Sequence, residues 1–149
     1  MHARCFTIAV FQDVPWATRG LEALARHGFA PESLTVLAKD SPDVRTLIRT
    51  QLRAEPDPLT IEALGAIVAR GPLVETLQGS DRGLETRGLA GIIGRAGFQK
   101  HDGQIFERLT ARGGVLVAIH NEPRAADALA TLHSYGGGNA AIGAWTGRL

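Results

Sequence analysis

Apolar positions along the chain repeat with two periods, and the switches between them divide it into strands and helices. Phe6–Gln12 (FTIAVFQ) is apolar on both faces, the pattern of a strand paired in the middle of a sheet and covered on at least one side. Asp13 then reads as an N-cap with Pro15 in the first turn. Val14, Ala17, Leu21, Leu24 and Ala25 share a helical face opposite Arg19, Glu22 and Arg26, and Gly28 ends the helix. A Pro31-Glu32-Ser33 turn leads into Leu34–Ala38, a second strand.

Ser41-Pro42-Asp43 combines a cap, a proline at the first helical position and an acid in the first turn. The helix it predicts carries Val44, Leu47, Ile48 and Leu52 on one face, and Pro56 and Pro58 stop it. Lys39–Leu64 therefore reads as a surface insertion whose helix packs on the body and whose end is a loop. Ala66–Ala69, bounded by Gly65 and Gly71-Pro72, is a third strand, and Leu73–Leu77 one helical turn. Ser80 or Asp81 caps a following segment with Leu84, Leu89, Ile92 and Ile93 at helical distances. Gly88, Gly91, Gly94 and Gly97 recur there every third residue; such glycines imply close approach of a neighbour or an irregular segment.

A helix over Phe98–Arg112 ends at Gly113-Gly114, and Val115–His120 alternates as a strand. Asn121 and Pro123 open a last helix lined by Ala125, Ala126, Leu129 and Leu132, which Gly136-Gly137-Gly138 closes. The expected architecture is α+β: a ferredoxin-like βαββαβ sandwich with a helical insertion between strands 2 and 3 and an extra C-terminal helix. It places the N-terminal strand beside the last one in the centre of a four-stranded antiparallel sheet, with the long helices over one face. Residues 1–138 form one domain. Residues 139–149 form a Gly/Ala-rich tail, mobile or pinned by Trp145.

Composition narrows the function classes. A net charge of +1 supplies no field for nucleic acid or an acidic membrane. Outward aromatics on the central strands are also few, Phe6 and Phe11. Eighteen glycines in 149 residues exceed the usual share of roughly 7%. One cysteine, Cys5, leaves no internal disulfide and no Cys-based zinc site. No leader and no membrane span is read, so the expected location is cytoplasmic.

Three stretches resemble the bacterial general stress protein domain family, which includes heat- and low-temperature-induced proteins. They are FTIAVFQDVPWATRGLEALARHGFAPESLTVLAKD, LGAIVARGPLVETL and GFQKHDGQIFERLTARGGVLVAIH. The centre departs from the family's Gly/Ala-rich pattern at Arg70, Glu75, Arg82, Glu85 and Arg87. The resemblance implies a stress-associated protein with no assigned chemistry or cofactor.

Candidate chemistry is sparse. No histidine pair has metal-ligand spacing, and neither GxxxxGK[ST] nor a strand-linked GxGxxG is present. His120-Asn121-Glu122, at a strand-to-helix junction, reads either as functional groups or as a strand end with a helix cap. His101-Asp102 reads either as a base with its orienting acid or as a helix start. Accordingly no catalytic, cofactor-binding or metal residue is assigned. The first reading is a non-enzymatic, self-associating protein, a homodimer or higher homo-oligomer that hides an uncovered sheet face or an edge strand. The second is a small-ligand sensor with its site at the oligomer interface or beneath Lys39–Leu64. The third is a dimeric α+β-barrel enzyme using His120 or His101, which requires an enclosed polar pocket around one of them.

Overall fold

Strands that are apolar on both faces need cover on both faces, and here they have it. The computed structural model describes residues 5–120, 127, 130–131 and 144–148. Six strands, β1 (Cys5–Phe11), β2 (Leu34–Lys39), β3 (Asp57–Ile61), β4 (Gly65–Arg70), β5 (Val115–Ile119) and β6 (Ala144–Arg148), form one sheet. Their order is β3-β4-β2-β5-β1-β6, with every neighbouring pair antiparallel. Alternate side chains diverge to two cores. Ile8, Val10, Leu37, Ile67 and Leu116 meet α3 (Pro72–Gln78), α4 (Gly83–Ile92) and α5 (Lys100–Ala111) on one face. Phe11, Val36, Val68, Val117 and Ile119 meet α1 (Val14–Arg26) and α2 (Pro42–Leu47) on the other.

The chain is α+β, and β1 lies beside β5 as expected, with Ala9 opposite Val117. The middle pair, however, is β2 and β5, and the sheet has helices on both sides. This departs from the ferredoxin-like sandwich with one helical face. The cause is visible in β5, where all five residues are buried: a strand with no polar face cannot leave one side to water.

Lys39–Leu64 is not a surface insertion. Leu47 and Ile48 are buried, and the helix runs on as one wide π-turn, Ile48–Leu52, that keeps Leu52 in the core as well. The stretch read as a loop is β3, hairpinned to β4. Pro58 argues against a central strand, and β3 is the sheet's edge.

Helix starts follow the sequence in part. Asp13 accepts the Trp16 amide at 2.9 Å and Ser41 the Val44 amide at 3.2 Å, as expected of caps. The cap of α4 is neither Ser80 nor Asp81. Gln78 Oε1 accepts from the amides of Leu84 (3.0 Å) and Glu85 (3.2 Å), which leaves Asp81 to pair with Arg95 at 2.6 Å. Gly88 breaks α4 with φ 74° and ψ 171°. Glu107 of α5 then accepts the Ala90 amide at 3.3 Å, recapping the helix beyond the break.

At the C-terminus, the expected tail supplies β6, whose Trp145 lies opposite Ile8 in the register. Asp127, Ala130 and Thr131 are helical, in keeping with a last helix. Its cap Asn121, Pro123 and the triglycine lie outside the described residues.

Candidate functional site

At the end of the sheet where β2 begins and β4 ends, Gly71 links β4 to α3 with φ 128°. A Cβ at this position would collide with the Leu34 carbonyl and the Thr35 side chain, so the chain can turn this tightly only at glycine. Buried Thr35 then accepts the Leu73 amide at 3.0 Å, doing for α3 what a local cap residue would do. The two devices lay the first turn of α3 across the start of β2. The π-turn after α2 approaches from the opposite wall and stops at Arg53, with φ 55° and ψ 40°.

Between these walls lies a half-open pocket of about 500 Å³, within the usual range of small-molecule sites. Its apolar lining is Pro31, Leu34, Leu52, Pro72 and Val74, and its charged rim is Glu32, Arg53, Asp57, Arg70 and Glu75. A second depression of about 480 Å³ shares Asp57, Val74 and Glu75 and continues along β3 to Gln78 and Gly79.

Arg70 is neutralised by Asp57 across the β3–β4 hairpin at 3.2 Å. Arg53 is different. A non-glycine residue in the left-handed region costs roughly 1 kcal/mol or more. Arg82 is the other such residue among the described ones, but its guanidinium is held by Glu85 at 2.9 and 3.1 Å. Arg53 has no partner among the described residues and stands exposed on the pocket rim. Glycine would suit this backbone better, so the arginine side chain stands here at a conformational cost.

The residues singled out from sequence are elsewhere. Asp102 accepts the Gln99 amide at 3.1 Å in a capping box, and His101 is exposed beside it. His120 is exposed at the end of β5, its ring stacked on Phe6 with centroids 4.7 Å apart and its amide bonded to the Ser33 carbonyl at 2.8 Å. Neither histidine lines this pocket. Asn121 and Glu122 lie outside the described residues. Phe6 and Phe11 are 1% and 0% exposed, so neither can stack on a base. Arg112-Gly113-Gly114 is a helix terminus, with the Gly114 amide on the Leu109 carbonyl at 3.0 Å.

Among the described residues no group of three or more His, Cys, Asp or Glu side chains could hold a metal ion, and no helix is long and apolar enough to cross a membrane. Strong electrostatics occur away from the pocket. Arg95 hydrogen-bonds Asp81 and holds its carboxyl down at about 2, while also donating to the Leu77 carbonyl at the end of α3 (3.0 Å). Arg82 and then Gln78 lower Glu85, helped by the Thr60 backbone amide. These pairs hold turns and an edge together. Arg53 and its pocket had no readable signal: the sequence RAEPDP shows a charged helix end before a loop. No protein-family model, no curated protein and no solved structure matches the chain.

Proposed function

We propose that this chain is a cytoplasmic, non-enzymatic binding domain for a small molecule, held in the pocket beneath the Lys39–Leu64 segment. The observation that carries the reading is Arg53: an unpaired cation in an unfavourable backbone conformation, on the rim of a pocket with apolar walls. Residues held in sparsely populated backbone regions cluster at ligand clamps and active sites, and Arg53 combines such a conformation with an unpaired charge at a pocket. Stress association rests on the three resembling stretches alone and concerns when the protein is needed, not what it binds.

A thermal-shift panel of metabolites tests the reading. A ligand at 100 times its Kd should stabilise the protein by about 2.7 kcal/mol, and Arg53→Ala should abolish that gain. A panel without a single Arg53-dependent stabiliser would sink the proposal.

Self-association is the second reading, and one observation redirects it. Residues of β1, β2, β4 and β5 are buried on both faces of the sheet, so packing of two copies across these strands finds no open apolar face among the described residues. The β3 edge is blunted as well. Pro58 has no N–H, and the Thr60 amide, two residues on and pointing the same way, faces the Glu85 carboxylate. A further route is pairing along β6, the terminal strand of the sheet among the described residues. Light scattering at micromolar concentration checks it; a monomer removes this reading and leaves the pocket untouched.

A further inference from the structure

We infer that the pocket takes a small zwitterion, a molecule carrying an ammonium and a carboxylate at the two ends of a short apolar chain. This rests on the binding reading above and specifies its ligand class. Five charged side chains rim the pocket, and two of them, Arg70 and Asp57, cancel in a 3.2 Å pair. The remaining three are Arg53, Glu32 and Glu75. None has a side-chain partner among the described residues, and neither carboxylate lies within ion-pair distance of Arg53. Opposite charges that share a pocket without meeting leave room for a ligand to meet both.

The three come from separate elements. Arg53 ends the π-turn, Glu75 belongs to the first turn of α3, and Glu32 to the 3-10 turn Pro31–Ser33 before β2. Between them lie Leu34, Leu52 and Val74, each at most 8% exposed, so the middle of the ligand meets hydrocarbon. An anion alone would gain Arg53 but face two unpaired carboxylates. A cation alone would gain Glu32 and Glu75 and face Arg53. An uncharged molecule would cover all three charges and satisfy none, and covering an unpaired charge is unfavourable. Only a ligand with both signs offers a partner to Arg53 and to a carboxylate at once.

The test is titration of the full chain, followed by amide NMR shifts, with 6-aminohexanoate, hexanoate and hexylamine, which share a chain length and differ in charge. Four- and eight-carbon analogues cover the span, and diglycine separates a peptide from an aliphatic zwitterion. The expected result is saturable binding of an aminoalkanoate, tighter than that of diglycine, with shifts at Arg53 and Glu75; diglycine bound as tightly would overturn the apolar chain. Removing either ligand charge should weaken it about tenfold or more, the scale of one charge-assisted hydrogen bond. Arg53→Gly, which suits the backbone, and Glu75→Gln should each weaken it similarly while the protein stays folded by circular dichroism. If hexanoate or hexylamine binds as tightly as the zwitterion and still depends on Arg53, the ligand class is overturned and the pocket stands. If no zwitterion in the series shifts the pocket residues, the inference is overturned, and the metabolite panel alone decides the pocket.

Discussion

Single side chains here divide into those the fold needs and those it tolerates, and pH separates one group cleanly. Asp81 is held at about 2 by Arg95, against an ordinary 3.8. Its folded value lies below its unfolded one, so the pair's stabilisation is present above about pH 4 and is lost as pH falls through about 2. A carboxyl-carbon NMR titration should place the Asp81 midpoint near 2; in Arg95→Gln it should move up toward the ordinary value. The glycines split in the same way. At Gly103 a Cβ would lie 2.6 Å from Ile93 Cγ2 and 2.9 Å from the Ala90 backbone, because α5 lies directly on α4 there. Gly94 has nothing within 4 Å. Gly103→Ala should therefore destabilise by about 1–3 kcal/mol through overpacking. Gly94→Ala should be neutral or stabilising by up to about 1 kcal/mol, through a less flexible unfolded chain. Urea midpoints of the two variants decide it, and equal shifts would refute the contact argument. The triplet spacing through Gly88, Gly91 and Gly94 is thus a poor guide to close packing, which falls on glycines such as Gly20, Gly83, Gly103 and Gly114. A break at Gly88 is the irregular-segment alternative realised.

Among the elements, legibility followed how far each is determined locally. The caps at Asp13 and Ser41, the Gly113-Gly114 stop and the apolar runs of β1, β2 and β5 act over three or four residues, and all are found where the pattern places them. β3 is hidden in the pattern because Pro58 is a strong local signal for a break, whereas an edge strand accepts proline once a neighbour pairs its other side. The α4 start is illegible locally because its cap comes from Gln78, six residues back through a turn that no short window spans. Arg53 was invisible for a third reason: backbone hand is set by where the π-turn delivers the chain, not by residue type. The β3 edge yields a prediction of its own. Pro58→Thr restores an outward N–H, and Glu85→Ala releases the one at Thr60. The double variant should associate more strongly than the parent, measured by light scattering over a concentration series. Identical profiles would show that neither group guards the edge.

For the molecule as a whole, the two-sided sheet makes two cores that share strands but not side chains. Ile48 belongs to the α1–α2 core and Ile93 to the α3–α5 core, both fully buried. Each loses one methylene on change to valine, which costs about 0.5–1.5 kcal/mol in a packed interior. With a sheet between them the two sites have no common neighbour to relax, so the costs should add to within about 0.5 kcal/mol. Cooperativity should nevertheless survive. β1, β2 and β5 present alternate residues to both cores, and losing either one removes half the burial that holds the same strands in place. Unfolding of the double variant, followed by tryptophan fluorescence and by far-ultraviolet circular dichroism, should therefore give coincident transitions. With Trp145→Phe as the background, Trp16 is the sole tryptophan and reports on the α1 side, so a fluorescence midpoint earlier than the dichroism midpoint would mean that this core melts alone. The sheet would then be a platform for two separable layers. Coincidence with additive costs would instead identify β1, β2 and β5 as the element through which one core depends on the other, without direct contact between them.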